Sequence, residues 1–435
     1  MGVNRRQFLL GGLAAAATTM GLVGCAPGSS NSGGGGGGGA EGAVDLKFAY
    51  WSNELRTKNT TAAIDAYMKA NPDVKIAQEP GEFGSYWDKL ATQTAGGQSP
   101  DVIQMDMNYI GEYGNRQALL DLSKVDTSKF TEGTVDSGRI NDQLVGINAG
   151  VNSVLFFANP AIFEKAKMDV PDDTTWTWDQ QIEIAAEVAS KAKVTFGMAM
   201  PYNQDGMFGA FLRQNGKELF TPDGLAFEAA DAKAWFDLMV KAQKAGAIGS
   251  PQQISEEAAK PLDQSALAVG SAAMQVSNTN QLPAYTKAAG TELAMLRFPS
   301  LTGKATDRKA WYKASMLWSA SAKTKNPDAV VALIDWWVNS PECAAINLAE
   351  RGVPCNTEIL AEITPKLDAV QQTVVKYIQD IKPEVANTPI PPPPGGGTTI
   401  QALLLRYETD VLFGKSSTGD AAQKFVDELK SNLQG

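Results

Sequence analysis

The chain has 435 residues, a formal net charge of −10 and no histidine. The acidic balance argues against a nucleic-acid partner, which needs a basic face. A chain without histidine has no Ser-His-Asp or Cys-His catalytic site and no His-ligated metal, and it also lacks the G-x-S-x-G and G-x-x-x-x-G-K-[ST] motifs. Chemistry that needs carboxylates alone, such as glycoside hydrolysis, is not excluded.

The first 24 residues have the layout of an export signal. Arg5 and Arg6 precede a mild apolar run over 8–23, which is too short and too rich in glycine and threonine for a membrane span. The stretch 5–10 resembles a twin-arginine export signal, although Asn4 and Leu10 depart from that pattern. We therefore predict a signal peptide over 1–24 and export by the twin-arginine route.

A cysteine ends the apolar run. The sequence L-V-G-C at 22–25 resembles a bacterial lipobox, in which the cysteine receives lipid such as palmitate and becomes the mature N-terminus. The alternative is an ordinary signal peptide with an incidental cysteine. The glycine-rich segment 25–43 is predicted to be a flexible tether, about 25 Å long on average for about 20 residues. We therefore predict that lipid on Cys25 anchors the protein on the extracellular side of the cell membrane.

An α/β pattern begins after the tether. Alternating apolar residues predict strands over 45–51, 74–78 and 100–106, and helical periodicity predicts helices over 60–70 and 86–95. The order strand, helix, strand, helix, strand is typical of a mainly parallel sheet.

The rest of the chain is richer in predicted helices. Strands are predicted over 144–148, 153–158 and 315–321, and an Ala-rich helix within 264–276. Residues 389–397, P-I-P-P-P-P-G-G-G, are predicted to form a loop over the second domain, a docking surface being the alternative. Helical periodicity covers 161–167, 178–192, 230–245, 328–338, 341–350, 367–381, 399–413 and 420–433.

Beyond Cys25, the remaining cysteines are Cys343 and Cys355. Two cysteines this close together in an exported protein predict a disulfide. Two unpaired, buried thiols are the alternative.

Several separated segments resemble, in the same order, the extracellular solute-binding proteins of carbohydrate ABC importers (family 1 type). The resemblance covers nearly the whole chain. Two departures are Asn148, where the family has proline, and Phe157-Ala158 in place of Tyr-Tyr. The matching segments are Lys89-Leu90 with Gly96-Gly97 and 99–102; 144–147 with 153–159 and Phe163; Trp178-Asp179; 270–274; 319–337; and 352–356.

The resemblance implies a two-lobed α/β fold of the periplasmic-binding-protein type (type II), with a ligand cleft between the lobes and a hinge of several segments. It assigns 44–149 with 277–313 to the N-terminal lobe and 150–276 with 314–435 to the C-terminal lobe. It also implies a monomer that captures a sugar, a di- or oligosaccharide, by hinge closure. Such a protein delivers its ligand to ABC permease membrane subunits, and it has no catalytic residue, metal or cofactor.

A sugar site needs aromatic rings against the sugar faces and polar side chains around the hydroxyls. In open α/β sheets such ligands lie beyond the carboxyl ends of the strands. Core packing is the alternative for the aromatic residues, and capping of helices or turns is the alternative for the polar ones. The predicted ligand-binding residues are Trp51, Asn53, Glu54, Asp106, Asn108, Tyr109, Asn148, Asn152, Asn278 and Trp318, with Tyr202, Asn203, Trp311 and Arg351 as weaker candidates.

Two other functions fit the same sequence. One is a lipid-anchored glycosidase or lyase that uses two carboxylates. The other is a binding protein for a non-sugar solute such as a polyamine, which needs several acids between aromatic rings. Within the sugar hypothesis, an acidic sugar needs an arginine in the cleft, with Arg56, Arg213 and Arg351 as candidates. The sequence does not separate a neutral from an acidic oligosaccharide.

Overall fold

The computed structural model describes residues 43–200 and 204–433. The predicted signal peptide, Cys25 and nearly all of the tether lie outside the described residues, as do Tyr202 and Asn203. None of the helices in the described stretches is long and apolar enough to cross a membrane.

Short strands alternate with helices along both described stretches. The strands are β1 Val44–Trp51, β2 Val74–Gly81, β3 Val102–Met105, β4 Arg139–Ile140, β5 Gln143–Leu144, β6 Ile147–Asn148, β7 Val151–Asn152, β8 Val154–Ala158, β9 Phe196–Ala199, β10 Phe220–Thr221, β11 Gly224–Leu225, β12 Ala272–Asn278, β13 Ala294–Leu296, β14 Lys313–Ala314 and β15 Leu317–Ala320. The helices are α1 Glu54–Ala70, α2 Phe83–Ala95, α3 Met107–Asn115, α4 Pro160–Lys165, α5 Trp178–Ala192, α6 Gln204–Gln214, α7 Ala229–Ala245, α8 Pro251–Glu257, α9 Leu282–Ala289, α10 Pro327–Asn339, α11 Pro341–Asn347, α12 Thr357–Ile363, α13 Ala369–Asp380, α14 Gly396–Leu412 and α15 Thr418–Asn432.

Five strands form the first sheet, in the order β2-β1-β3-β15-β6. β1 runs parallel to β2 and to β3, which confirms the parallel sheet predicted for this part of the chain. β15 runs antiparallel to β3 and to β6. Helices cover both faces: α1 and α10 pack on one face through Ile64 and Leu333, and α2 and α3 pack on the other through Leu90 and Ile110.

The alternation in β1 explains why this layer forms. Leu46, Phe48 and Tyr50 are buried in one hydrophobic cluster, and Ala49 and Trp51 in the other. Successive side chains of a strand point to opposite faces, so one strand supplies both cores. Complete burial of a side chain such as Phe48 contributes roughly 1.5–3 kcal/mol.

Four strands form the second sheet, in the order β13-β8-β12-β9. Val154 and Phe156 of β8 face one cluster, and Leu155 and Phe157 face another. The first cluster lies under α5, α7, α14 and α15, and the second lies under α9 and α13. The strand predicted over 153–158 is therefore confirmed, with helices on both of its faces.

The prediction of an Ala-rich helix within 264–276 is wrong, because turns fill the stretch from residue 265 to the start of β12. Residues 272–278 form β12, a central strand that pairs with β8 and β9. The run Ala272-Ala273-Met274 is buried on both faces, so it lacks the one-sided pattern that separates a strand from a helix. Gly270, with φ of +72°, reverses the chain just before the strand.

The chain crosses between the sheets at other places than predicted. After β8 it stays with the second sheet as far as β13, which pairs with β8, and it returns to the first sheet at β15. The assignment of 277–313 to the N-terminal lobe is therefore wrong for β13. The assignment of 314–435 to the C-terminal lobe is wrong for β15 and for α10, which packs on the first sheet. Pairing between strands that are far apart in the chain decides which lobe each element belongs to. The local sequence does not encode this pairing.

Three crossing segments lie side by side between the sheets. β7 lies between β6 and β8 along the chain, β14 lies between β13 and β15, and the two pair antiparallel. Their register places Asn152 opposite Lys313 and Val151 opposite Ala314. Val151 also pairs with Val353, which adds the third segment. The two lobes are thus joined by a multi-segment hinge.

Cys343 and Cys355 are free thiols in the structure, so the predicted disulfide is absent from it. Cys343 packs on the α1 and α10 face of the first sheet, where Asn347 Nδ2 lies 3.3 Å from its Sγ. Cys355 packs in the cluster between the second sheet and α13. The two side chains therefore belong to different cores, and burial raises the pKa of each thiol to about 12.

We expect a reducing agent to leave the stability of the protein unchanged, because no bridge constrains the unfolded chain. In a Cys25→Ser variant, Cys343 and Cys355 should react with a thiol reagent only after unfolding, since both are buried and protonated. Thermal unfolding with and without dithiothreitol measures the first effect. A midpoint that falls by several degrees in dithiothreitol would show that the bridge exists.

Two crossing segments meet backbone to backbone at Gly150 and Gly352. A Cβ on Gly150 would lie 2.4 Å from the carbonyl oxygen of Arg351. We expect Gly150→Ala to lower the free energy of unfolding by about 1–3 kcal/mol, because the backbone must shift to admit the methyl group. Urea denaturation measures the effect.

Gly84→Ala in α2 is the matched control for this substitution. No atom lies within 4 Å of a Cβ built on Gly84. Because alanine favours helix over glycine, this variant should gain about 0.5–1 kcal/mol. A gain in both variants would contradict the close backbone approach at the hinge.

Candidate ligand-binding cleft

A cavity of about 780 Å³, counted with its open mouth, lies where α3, α6 and β14 meet. Met107 and Asn108 of α3 line it from the first lobe, and Asp205 and Arg213 of α6 line it from the second. A ligand here contacts both lobes next to the hinge. The other lining residues are Val154, Gly206, Gly209, Glu218, Leu219, Phe220, Trp311, Lys313, Pro389, Ile390, Pro392 and Ile400.

Opposite charges line the cavity near the hinge. Asp205 lies in the first turn of α6, and Lys313 lies in β14. Burial raises the pKa of the Asp205 carboxyl above its ordinary value, the Lys313 ammonium opposes this rise, and Asp106 of the first lobe adds to it. Carboxylates from the two lobes therefore repel one another across the cavity, and a lysine partly offsets this repulsion.

Arg213 is held by protein groups around its whole guanidinium. Nη1 donates to both carboxylate oxygens of Glu218 at 2.7 and 2.9 Å, Nε donates to the Lys309 carbonyl at 3.3 Å, and Nη2 donates to the Asn387 carbonyl at 2.5 Å. The guanidinium carbon lies 5.6 Å from the centroid of the Trp311 ring. Arg213 thus anchors the chain at Asn387, and Glu218 neutralises its charge.

The proline-rich segment 387–394 covers one side of the cavity. Pro389 and Pro392 line the cavity, and Thr388 Oγ1 donates to the carbonyl of Gly133 in the first lobe. A Cβ on Gly111 of α3 would lie 2.1 Å from the Pro392 carbonyl oxygen, so only glycine admits the segment at this point. The loop predicted over 389–397 is confirmed as far as residue 395, because α14 begins at Gly396, and the segment joins the second lobe to the first.

Aromatic residues cluster beside α3 at the carboxyl end of β1. The rings of Trp87 and Tyr109 stack, with 3.6 Å between centroids and 2° between planes. Trp51 packs edge-on against Phe83 and Tyr86. Phe83 is 49% exposed and Tyr109 is half-buried, whereas the other three are buried. Phe83 and Tyr109 are therefore the members that a ligand can reach, and Trp51 packs behind them.

Sequence reasoning missed Phe83, Trp87, Asp205 and Lys313. Phe83 and Trp87 are four residues apart in α2, directly after β2, so helical spacing after a strand was an available signal. Asp205 comes soon after the end of β9, so its position after a strand was an equally available signal. Lys313 had no local signal, because its place depends on the pairing of β14 with β7.

Asn53 and Asp106 cap helices. Asn53 Oδ1 accepts a hydrogen bond from the Arg56 N–H at 2.8 Å, at the start of α1. Asp106 Oδ1 accepts from the Asn108 N–H at 2.9 Å, at the start of α3. The capping alternative is confirmed for both residues. Glu54 follows Asn53 in the first turn of α1 and is exposed.

Trp318 and Asn148 are wrong as ligand residues. Trp318 is fully buried in β15, with the ring centroids of Phe48 and Trp337 each 5.0 Å away. Asn148 is 2% exposed, its Nδ2 donates to the Thr134 carbonyl at 3.1 Å, and its Oδ1 accepts from the N–H two residues along the chain at 3.0 Å. Trp318 is core, and Asn148 braces the hinge.

Asn152 and Asn278 lie close to the cavity without lining it. Asn152 of β7 is buried and pairs with Lys313, which does line it. Asn278 ends β12, opposite Val154, another lining residue. Asn108 is the predicted residue that the structure places directly in the cavity wall, together with the weaker candidate Trp311.

Each arginine considered for an acidic ligand already has a protein partner. Arg351, another weaker candidate, is buried and donates through Nη1 to Gln104 Oε1 at 2.9 Å. Arg56 forms an ion pair with Glu350 at 2.8 Å. Burial lowers the pKa of Arg351 to about 9, and the nearby positive charge of Arg56 acts in the same direction. These two arginines, like Arg213, bind other groups of the protein.

Comparison with known proteins places the chain in a family. Residues 62–373, well over half of the chain, match the family model for the bacterial extracellular solute-binding protein. The chain belongs to the bacterial extracellular solute-binding proteins.

Two curated relatives and one solved structure illustrate this membership. It is 21% identical to the maltodextrin-binding protein of Bacillus subtilis over 97% of this chain and 96% of that protein. An uncharacterized lipoprotein of Streptomyces antibioticus is 25% identical, over 44% of this chain and only 42% of that protein's length. A solved oligogalacturonide-binding protein from Yersinia enterocolitica, in complex with saturated digalacturonic acid, has a TM-score of 0.76 and 19% identity, covering 90% of this chain and 100% of that one. The predicted two-lobed α/β fold is confirmed.

The raised pKa of Asp205 gives this solute-binding protein a testable pH dependence. A carboxyl that binds its proton more tightly when folded costs stability as the pH rises past the ordinary aspartate value of about 3.9. We therefore expect Asp205→Asn to stabilise the protein more at pH 7 than at about pH 3, where Asp205 is protonated whether folded or not. Urea unfolding of both proteins at the two pH values measures this difference.

Asp65→Asn, at an exposed position in α1, is the control for the loss of one negative charge. Its effect should be the same at both pH values to within a few tenths of a kcal/mol. An Asp205→Asn effect that does not grow with pH would contradict the proposed burial of this carboxyl.

Proposed function

We propose that this solute-binding protein captures a di- or oligosaccharide in the cavity between its lobes and closes its hinge around it. It then serves as the substrate-binding component of an ABC importer. The observation that carries the proposal is a cavity beside the hinge with walls from both lobes. The printed names of the relatives, maltodextrin-binding and oligogalacturonide-binding, support a sugar as the ligand.

The chemistry of the cavity suits a sugar. Hydroxyl groups can donate to Asp205 and accept from Lys313, and charge-assisted hydrogen bonds of this kind are stronger than neutral ones. Trp311 and Phe220 line the cavity with flat apolar surface for the C–H faces of the rings. On the first lobe, Tyr109 follows the lining residue Asn108 in sequence and stacks on Trp87, whose ring also contacts the exposed Phe83.

Closure follows from contact with both lobes. A ligand that binds the closed form more tightly shifts the lobe equilibrium by no more than that difference in affinity. Asn108 and Asp205 lie on opposite lobes, so a ligand between them stabilises the closed form. The permease membrane subunits would recognise this form. Lipid on Cys25 would hold the monomer at the membrane after export, with the twin-arginine signal as the export route.

The protein acts in this proposal by binding and not by turnover. Asp106 and Asp205 are two carboxylates near one cavity, as the glycosidase alternative requires. Asp106, however, uses one oxygen to cap α3, and the cavity carries a lysine beside Asp205. Incubation with oligosaccharides followed by chromatography separates the two functions, since a product that accumulates beyond one equivalent would establish an enzyme.

Calorimetric titration with mono-, di- and oligosaccharides, uronides and a polyamine tests the ligand class. We expect one-to-one binding of an oligosaccharide. Binding of the polyamine alone, or no binding by a protein shown to be folded, would overturn the sugar assignment.

We expect Tyr109→Ala to weaken sugar binding roughly 10- to 100-fold, the range for loss of a well-placed aromatic contact. Phe413→Ala, which removes an exposed ring just after α14 that does not line the cavity, should leave the affinity unchanged. Calorimetry on both variants makes the comparison. Equal affinities for Tyr109→Ala and the unmodified protein would remove the aromatic cluster from the site.

A further inference from the structure

We infer that this cleft takes neutral oligosaccharides and rejects uronides, and that Asp205 is the residue that decides. The inference rests on the proposed function and specifies the ligand class of the same cavity.

The inference depends on which charged groups of the cavity are available to a ligand. Among the residues that the structure describes, the acidic and basic side chains that line it are Asp205, Arg213, Glu218 and Lys313. The side chain of Arg213 is 4% exposed, and its Nη1 donates to both carboxylate oxygens of Glu218, so this pair has little capacity to bind a further anion. The charges left for a ligand are therefore the carboxylate of Asp205 and the ammonium of Lys313.

A second carboxylate makes this balance negative. Asp106 directly precedes Met107 and Asn108, which line the opposite wall, and it acts electrostatically on Asp205. The set thus holds two carboxyl groups and one ammonium group, so acidic groups outnumber basic ones around the ligand.

A uronide and a neutral sugar meet this set of charges differently. The carboxylate of a uronide gains one ammonium but faces two carboxylates in a partly desolvated site, and like charges brought together at an interface cost several kcal/mol. A neutral hydroxyl can donate to Asp205 and accept from Lys313 at once, which satisfies both charged groups without adding a charge. Selection of this kind comes from repulsion of the wrong ligand as much as from attraction of the right one.

The fold alone does not determine whether the cleft binds a neutral or an acidic sugar. The solved structure of an oligogalacturonide-binding protein, with bound digalacturonic acid, has the same two-lobed architecture at a TM-score of 0.76. In this chain the three arginines suggested by the sequence for an acidic ligand are bonded to Glu350, to Glu218 and to Gln104 instead. None of these three guanidinium groups is therefore available to bind the carboxylate of an acidic sugar.

The test is calorimetric titration of the purified protein with maltotetraose and with trigalacturonate at pH 7 and low salt. We expect maltotetraose to bind at least about 100-fold more tightly than trigalacturonate. In Asp205→Asn, the ratio of the affinity for maltotetraose to the affinity for trigalacturonate should fall by about 10-fold or more, chiefly because trigalacturonate binds more tightly. Asp65→Asn, which removes an exposed carboxylate on α1, should leave the ratio unchanged.

Circular dichroism and thermal unfolding establish that each variant is folded before titration. Tighter binding of trigalacturonate than of maltotetraose by the unmodified protein would overturn this inference and leave the proposed sugar-binding function standing. An unchanged ratio in a folded Asp205→Asn protein would overturn the role of Asp205. Absence of binding to both sugars, and to the wider sugar panel, would overturn the proposed function itself.

Discussion

The pairing of β7 with β14 is the constraint on which the rest of the structure depends. It holds two crossing segments side by side between the sheets, and the bridge from Val151 to Val353 adds the third. Backbones come so close there that Gly150 and Gly352 have no room for larger residues. The same ribbon places Lys313 in the cavity wall, so the hinge and the binding site share one element.

Buried polar groups reinforce this joint from the side of the first lobe. Asn148 binds the Thr134 carbonyl and the hinge backbone at once, and Arg351 reaches across to Gln104 of β3. Removing a partner from such a buried network leaves an unsatisfied group, which is costly. These side chains therefore fix the crossing segments, and a polar residue near the cleft is not for that reason a ligand residue.

The cavity combines rigid and adjustable parts. The proline-rich segment 387–394 is held at Asn387 by Arg213 and reaches α3 at Gly111, so it ties one side of the cleft to both lobes. Proline restricts the backbone, which makes such a segment stiff at little entropic cost on folding. The charges of Asp205 and Lys313 lie on the hinge side, where a ligand alters the balance between lobes.

The sequence by itself determined the layers, the loop ahead of α14 and the family resemblance, and it predicts an export leader that ends at Cys25. These features depend on local alternation, periodicity and short motifs, as the strands at Phe48 and Phe156 illustrate. Tertiary structure alone decided the lobe memberships of β13 and β15, the unpaired state of the cysteines and the burial of Trp318. Strand pairing and core membership join residues far apart in the chain, and a local pattern carries no record of its distant partner.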